Sequence, residues 1–177
     1  LTYVRPLGHW SSIYSGLGTW DLNIHHYYDP NLETLFMGDG STRQIPAQLR
    51  PDGTFLSTNA DGSEVYIFNS SGIHQKTLHG LTGGVLYNFT YESHGFLSRV
   101  TDGSGNVTTL NRNSSGVIVS VKPPFAPLTQ LTVDANGLLT NVTNPKGDKW
   151  QMTYANAGGL LKTFKKPRGQ VSTFTYD

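Results

Sequence analysis

From Phe89 to the last residue, Asp177, the chain repeats itself with a period close to 21 residues. The equivalent position falls at Tyr91, Arg112, Val133, Tyr154 and Tyr176, in steps of 21, 21, 21 and 22. A glycine stands four residues beyond the first three of these markers (Gly95, Gly116, Gly137) and five beyond the fourth (Gly159). Two apolar residues follow each glycine: Phe96-Leu97, Val117-Ile118, Leu138-Leu139 and Leu160-Leu161. A second glycine closes most units, at Gly105, Gly147 and Gly169. No other feature constrains the fold as tightly, because so short a unit cannot bury its own apolar face and must stack on its neighbours.

The content of a unit follows from its spacing. Phe89/Tyr91, Leu131/Val133, Met152/Tyr154 and Phe174/Tyr176 alternate with polar residues, and alternation puts both members of a pair on one face of a strand. The glycine then supplies a tight turn. Twenty-one residues hold two such strands and two turns and leave no room for a helix. The expected fold is therefore all-β: a spiralling antiparallel β-sheet of about eight 21-residue hairpin repeats, open-ended, with helix content near zero. Arg112 breaks the apolar rule at its marker and is read as a stem packed inward with its head at the rim.

The ladder extends backwards in weaker form. Leu49 follows Tyr28 by 21 residues and has Gly53 four places on, and Phe68 has Gly72 four places on. Tyr28, Leu49, Phe68, Tyr91, Arg112, Val133, Tyr154 and Tyr176 then read as eight marks of one array, a single domain over residues 20–177 preceded by an N-terminal loop, 1–19. Within it, Trp20 to Tyr28 reads as one strand, with Trp20, Leu22, Ile24, His26 and Tyr28 on one face and Asp21, Asn23, His25 and Tyr27 on the other. Thr34–Met37 reads as the returning strand, ending at Gly38-Asp39-Gly40.

Several function classes find no support. The net charge is +1 with 14% charged residues, so no broad field gathers nucleic acid or an anionic membrane. Cysteine is absent, and no apolar run approaches the length of a membrane span. The chain opens on Leu1 without a signal-peptide pattern, which fits a segment of a longer precursor. No Gly-x-Ser-x-Gly elbow supports a nucleophile, and the expectation is a non-enzymatic protein with no cofactor. Adjacent His25 and His26 should point to opposite faces of a strand, and His74, His79 and His94 fall near turns. All are read as surface or rim histidines rather than metal ligands. The pairs Asp39-Gly40, Asp52-Gly53, Asp61-Gly62 and Asp102-Gly103 read as hairpin turns rather than calcium loops. Trp20 and Trp150 fall in register with the core rather than forming sugar-binding platforms; Trp10, in the N-terminal loop, is left open as one.

Asn144-Pro145-Lys146-Gly147, Lys166-Pro167-Arg168-Gly169 and Phe174-Thr175-Tyr176-Asp177 resemble tyrosine-aspartate (YD, or Rhs) repeats. Glu64 to Asn69, Gly72 to Gln75 and Leu86 to Tyr91 resemble the start of the teneurin YD shell more closely, and only Tyr28-Asp29 and Tyr176-Asp177 keep the literal dipeptide. The resemblance implies a long β-sheet spiralling into a hollow shell, in secreted or cell-surface proteins, sometimes enclosing a toxin. It also makes an extracellular or cell-surface location the expectation. Asn-x-Ser/Thr occurs at Asn69, Asn88, Asn106, Asn113 and Asn141, about twice the chance frequency, and these are candidate N-glycan acceptors. So few repeats form a sheet with two unpaired edges. The expected partners are copies of the chain or contiguous precursor segments, met at the Trp20–Tyr28 side and at the Phe174–Asp177 end. The competing readings are an adhesion module binding glycan or protein and the delivery shell of a bacterial toxin.

Overall fold

A computed structural model describes residues 1–3 and 15–176; Trp10 and Asp177 lie outside the described residues. Eighteen strands and no helix are present among them. The first five are β1 (Thr2–Tyr3), β2 (Trp20–Asp21), β3 (Tyr27–Asp29), β4 (Thr34–Phe36) and β5 (Thr42–Gln44). Next come β6 (Gln48–Leu49), β7 (Phe55–Thr58), β8 (Glu64–Phe68), β9 (His74–His79), β10 (Val85–Tyr91) and β11 (Leu97–Asp102). The chain ends with β12 (Val107–Arg112), β13 (Ile118–Lys122), β14 (Thr129–Val133), β15 (Leu139–Thr143), β16 (Lys149–Tyr154), β17 (Leu161–Lys165) and β18 (Val171–Thr173).

Strands β6 to β18 form one 13-stranded antiparallel sheet in simple chain order, with β6 and β18 at its edges. The two-residue periodicity drives this meander, since each hairpin puts its apolar positions on the same face as the last. One rim carries a recurrent turn. Glu92, Asn113 and Asp134 open it, each donating its N–H to the carbonyl four residues on. Asn113 and Asp134 also accept, at Oδ1, the N–H groups two and four residues ahead. Aspartate and asparagine make the same double cap in the position after the marker, because either side chain mimics a backbone acceptor. At the opposite rim Asp102 plays the same part toward Ser104 and Asn106. Its left-handed glycine is Gly105, at φ 84; Gly103, expected to fill that role, sits instead against Val85 O.

The hairpins β8–β9, β10–β11, β12–β13, β14–β15 and β16–β17 each carry a β-bulge that the repeat alone does not disclose. Register shifts fall at Phe68, Tyr91, Arg112, Val133 and Tyr154. The bulge leaves the marker opposite the second apolar residue after the turn glycine: Tyr91 faces Leu97, Arg112 faces Ile118, Val133 faces Leu139, and Tyr154 faces Leu161. Without the extra residue those pairs would point to opposite faces.

The region before β6 departs from the expected ladder. Trp20 to Tyr28 is not one strand: it breaks after β2, and His25 N–H closes a turn on Leu22 O at 2.9 Å. The Asp21 carboxylate takes Leu22 N–H at 2.8 Å, which competes with strand pairing at the break. Tyr28 belongs to a separate sheet of β3, β4 and β5, and the N-terminal edge of the large sheet is β6, not the Trp20–Tyr28 side. Residues 15–24 instead lie across one face of the large sheet. Leu17 and Trp20 pack with Phe89, Leu97, Leu110, Ile118, Leu139 and Met152 in the main core, while Tyr28, Leu35, Tyr66 and Phe68 form a second.

Candidate functional site

The covered face of the sheet holds the chemistry-bearing side chains, because the N-terminal segment seals it. Thr19 Oγ1–H bonds Gly159 O at 3.2 Å and Trp20 Nε1–H bonds Tyr154 Oη at 2.9 Å. Tyr3 donates to Gly159 O at 3.0 Å and accepts Leu161 N–H at 2.9 Å. The marker tyrosines form a row beneath. Tyr91 Oη–H reaches His74 O at 2.6 Å, Tyr154 reaches Leu139 O at 2.5 Å, and Tyr176 reaches Leu161 O at 2.7 Å. Each acceptor is the residue paired with the preceding marker, directly before its bulge. The hydroxyl thus clasps a carbonyl of the neighbouring hairpin, and burial pushes the Tyr154 phenol up to about 12.

Arg112 takes the same place by different means. Its guanidinium bonds Leu97 O at 3.3 Å, Gly116 O at 3.2 Å and Ser15 O at 2.9 Å, and lies 4.5 Å over the Phe96 ring. With 4% of the side chain exposed, its head is buried rather than at the rim, because the N-terminal segment brings the Ser15 carbonyl over it. Its Nε has no hydrogen-bond partner and stands 4.0 Å from Glu92 Oε1. Val133 offers no donor. Among the other markers, Phe68 is fully buried and Tyr28 takes Ala47 N–H at its hydroxyl, whereas Leu49 lies on the edge strand β6 at 63% exposure.

The histidines are where sequence reasoning failed most. His25, His26 and His74 are at most 5% exposed, not on the surface or the rim. The break after β2 turns both adjacent imidazoles toward β9, so the opposite-face rule for a strand no longer applies. The His26 and His74 rings stack with centroids 5.1 Å apart, and His25 stacks on His74 at 6.3 Å. His25 Nδ1 lies 3.2 Å from Asp21 Oδ1 and its Nε2 lies 3.0 Å from Tyr91 Oη. Nδ1 of His26 accepts Gly38 N–H at 2.9 Å, and Nδ1 of His74 accepts His26 N–H at 3.2 Å. Burial, then the neighbouring His25, lowers the His26 pKa to about 4; burial, then His26, holds His74 well below the usual imidazole range. A cleft of about 230 Å³ opens beside His26, lined also by Asp39, Glu64, Tyr66 and Tyr87. Tyr66 donates to Glu64 Oε2 at 2.9 Å. Among the described residues no three His, Cys, Asp or Glu side chains are arranged to hold a metal ion. The one sequence signal for this cluster is an aspartate four residues before a histidine pair, too common to carry a prediction.

The five sequons occupy different settings. Asn113 is exposed in its turn, its Oδ1 capping Ser115 and Val117 N–H. Asn69 caps Ser71 and Ile73 in the same way. Asn106 commits Nδ2 to Asp102 and Asn141 commits Nδ2 to Thr140 Oγ1. Asn88 sits mid-strand, between Thr101 and Lys76.

A meander of recurring hairpins, clasped to the preceding hairpin by a tyrosine hydroxyl at three markers and by the Arg112 guanidinium at a fourth, is a repeat-built β wall, and its class is that of the shell-forming structural repeats. The Teneurin YD-shell family profile matches residues 53–177, and the chain belongs to that family. It is 34% identical to Teneurin-4 of Mus musculus over 122 residues, which is 69% of this chain and 4% of that protein. It is 32% identical to Teneurin-1 of Gallus gallus over 152 residues, 82% of this chain and 6% of that one. The chain thus spans a small fraction of the relatives it matches. The crystal structure of TcdB2-TccC3 without its hypervariable C-terminal region covers 77% of this chain, and this chain 10% of it, at 15% identity and a TM-score of 0.39. That superposition is too loose to carry a common role. No helix among the described residues is long and apolar enough to cross a membrane.

Proposed function

We propose that this chain is a non-enzymatic extracellular scaffold: a stretch of shell wall, residues 20–177 working as one domain, that continues through its sheet edges into the rest of a precursor or into further copies. The observation that carries it is the open C-terminal edge. Lys166 N–H bonds Gln170 O and Phe174 N–H bonds Lys162 O. By the alternation of an antiparallel ladder, Ser172 and Phe174 then face β17 while Val171 and Thr173 turn their N–H and C=O groups outward. A row of unpaired donors and acceptors recruits another strand. Thr173→Pro removes an outward donor without touching the β17–β18 bonds, whereas proline at Ser172 would break them. In sedimentation, Thr173→Pro is expected to abolish concentration-dependent association of the chain while its β-sheet spectrum is unchanged. Association that survives the substitution contradicts an edge-to-edge contact at β18.

The same reading makes the chain a glycoprotein, with Asn113 the best-placed acceptor because its turn is exposed and its Nδ2 is uncommitted, and Asn88 the poorest. Mass analysis of peptides from the native source, before and after amidase, should show a glycan at Asn113; an unmodified Asn113 peptide at full yield contradicts this.

A further inference from the structure

We infer that the stacked imidazoles of His25, His26 and His74 are an acid-operated latch, which holds residues 21–28 on the large sheet at neutral pH and lets that segment go when His26 and His74 take up protons. The latch depends on two acceptors. His26 Nδ1 holds the turn at Gly38, and His74 Nδ1 holds the backbone of His26 itself; further along, Tyr28 N–H is held separately by Gly72 O. His74 Nε2 lies 3.0 Å from Lys76 O, an acceptor only, which makes Nε2 the protonated nitrogen and leaves Nδ1 bare. A second proton on either ring must go to Nδ1, where it would meet an N–H donor head-on. The bond is lost and two donors are left facing each other in a buried site.

The charge of Asp39 favours a protonated His26, but burial and the neighbouring His25 outweigh it. Asp21 faces His25, not the other two rings. Tyr91 stands against His25 and gives its proton to His74 O. Tyr66 packs edge-on against both His26 and His74, and Glu64 already accepts its hydroxyl. Asp39 lies across the cleft from His26 but takes the N–H and Oγ–H of Ser41. Arg43, turned toward Thr58 O near the Tyr66 side, adds like charge, and Lys76 presents only its carbonyl. Tyr87 lines the same cleft without a charge. Cationic His26 and His74 rings, with centroids 5.1 Å apart, would repel in a medium that screens poorly.

The sign follows from neutral rings in the folded state. An imidazole whose pKa is lower folded than unfolded contributes its full stability above about pH 6.5 and loses it as the pH falls toward about 4, the His26 value. Opening is therefore expected between these limits.

Hydrogen exchange of the 177-residue chain, corrected for intrinsic rates, tests this. Between pH 7 and pH 4.5, amides of residues 21–28 and the backing amides of β9 should lose protection at least tenfold and reversibly, while β12 to β17 keep theirs. His26→Asn and His74→Asn place a non-titrating acceptor near Nδ1 and should lower the opening midpoint by about one pH unit; His94→Asn, on the surface, should not. Opening of both variants at the wild-type midpoint overturns the latch. If either variant fails to fold, imidazole proton spectra of the unaltered chain decide: coincidence of ring titration with segment opening supports it, and rings that titrate while residues 21–28 stay protected overturn it.

Discussion

Gly72→Ala is expected to destabilise the chain by about 4 kcal/mol or more, whereas Gly116→Ala, in the equivalent turn, should cost about 1 kcal/mol. Both glycines have positive φ, 77° and 76°, so the strain from an L side chain is the same. The surroundings differ. A Cβ at Gly116 meets nothing within 4 Å, but at Gly72 it would lie 1.7 Å from the Tyr28 carbonyl oxygen. Tyr28 N–H also bonds Gly72 O at 3.0 Å, and Tyr27 bridges to Ile73. The backbone of β3 therefore rests on this turn, and a methyl group there must lift β3 off the sheet. Denaturant midpoints for the two variants measure the difference; equal shifts would mean that β3 does not sit on the Gly72 turn.

Phe68→Ala should cost about 3 to 5 kcal/mol, the range for an aromatic removed from a packed core. Its ring is fully buried among Tyr28, Tyr66 and His74, with centroids 6.0, 6.4 and 5.1 Å away. Its neighbours come from several elements: Tyr28 from β3, Tyr66 from β8, His74 from β9, and Phe55 of β7 across the ladder. Leu49→Ala, at a mark of the same ladder but 63% exposed on the edge strand, should change stability by less than about 0.5 kcal/mol. A large effect at Leu49 in the isolated chain would mean that the β6 edge is covered.

The turns and the strand order were legible because both follow from local chemistry repeated many times. A glycine four or five residues after a marker can do little else than turn a hairpin, and consecutive hairpins with one apolar face make a meander. The bulges were not legible: Leu97, Ile118, Leu139 and Leu161 look like ordinary members of apolar pairs, and only the register shows that each pair spans a bulge. Which glycine of Asp102-Gly103-Ser104-Gly105 turns the chain was misread, since Asp-Gly is the stronger local signal and the Val85 carbonyl that Gly103 accommodates is distant in sequence. Trp20 to Tyr28 failed for a related reason. Its alternation is real, but the Asp21 carboxylate and the local turn at Leu22–His25, backed by the tertiary approach of Gly38, override a period-2 pattern. The buried histidine stack is a product of that break.

The proposed wall makes the outward edge of β18 a pairing edge, met by a strand of a longer precursor or of another copy. Residue-resolved amide exchange on the 177-residue chain and on a longer precursor, each at low concentration, tests it most directly. In the short chain, Ser172 and Phe174 should be protected and Val171 and Thr173 should exchange nearly as fast as an unfolded peptide. In the precursor, Val171 and Thr173 should gain protection of a hundredfold or more, to the level of Ser172. Val171 and Thr173 amides that exchange equally fast in both would contradict the account.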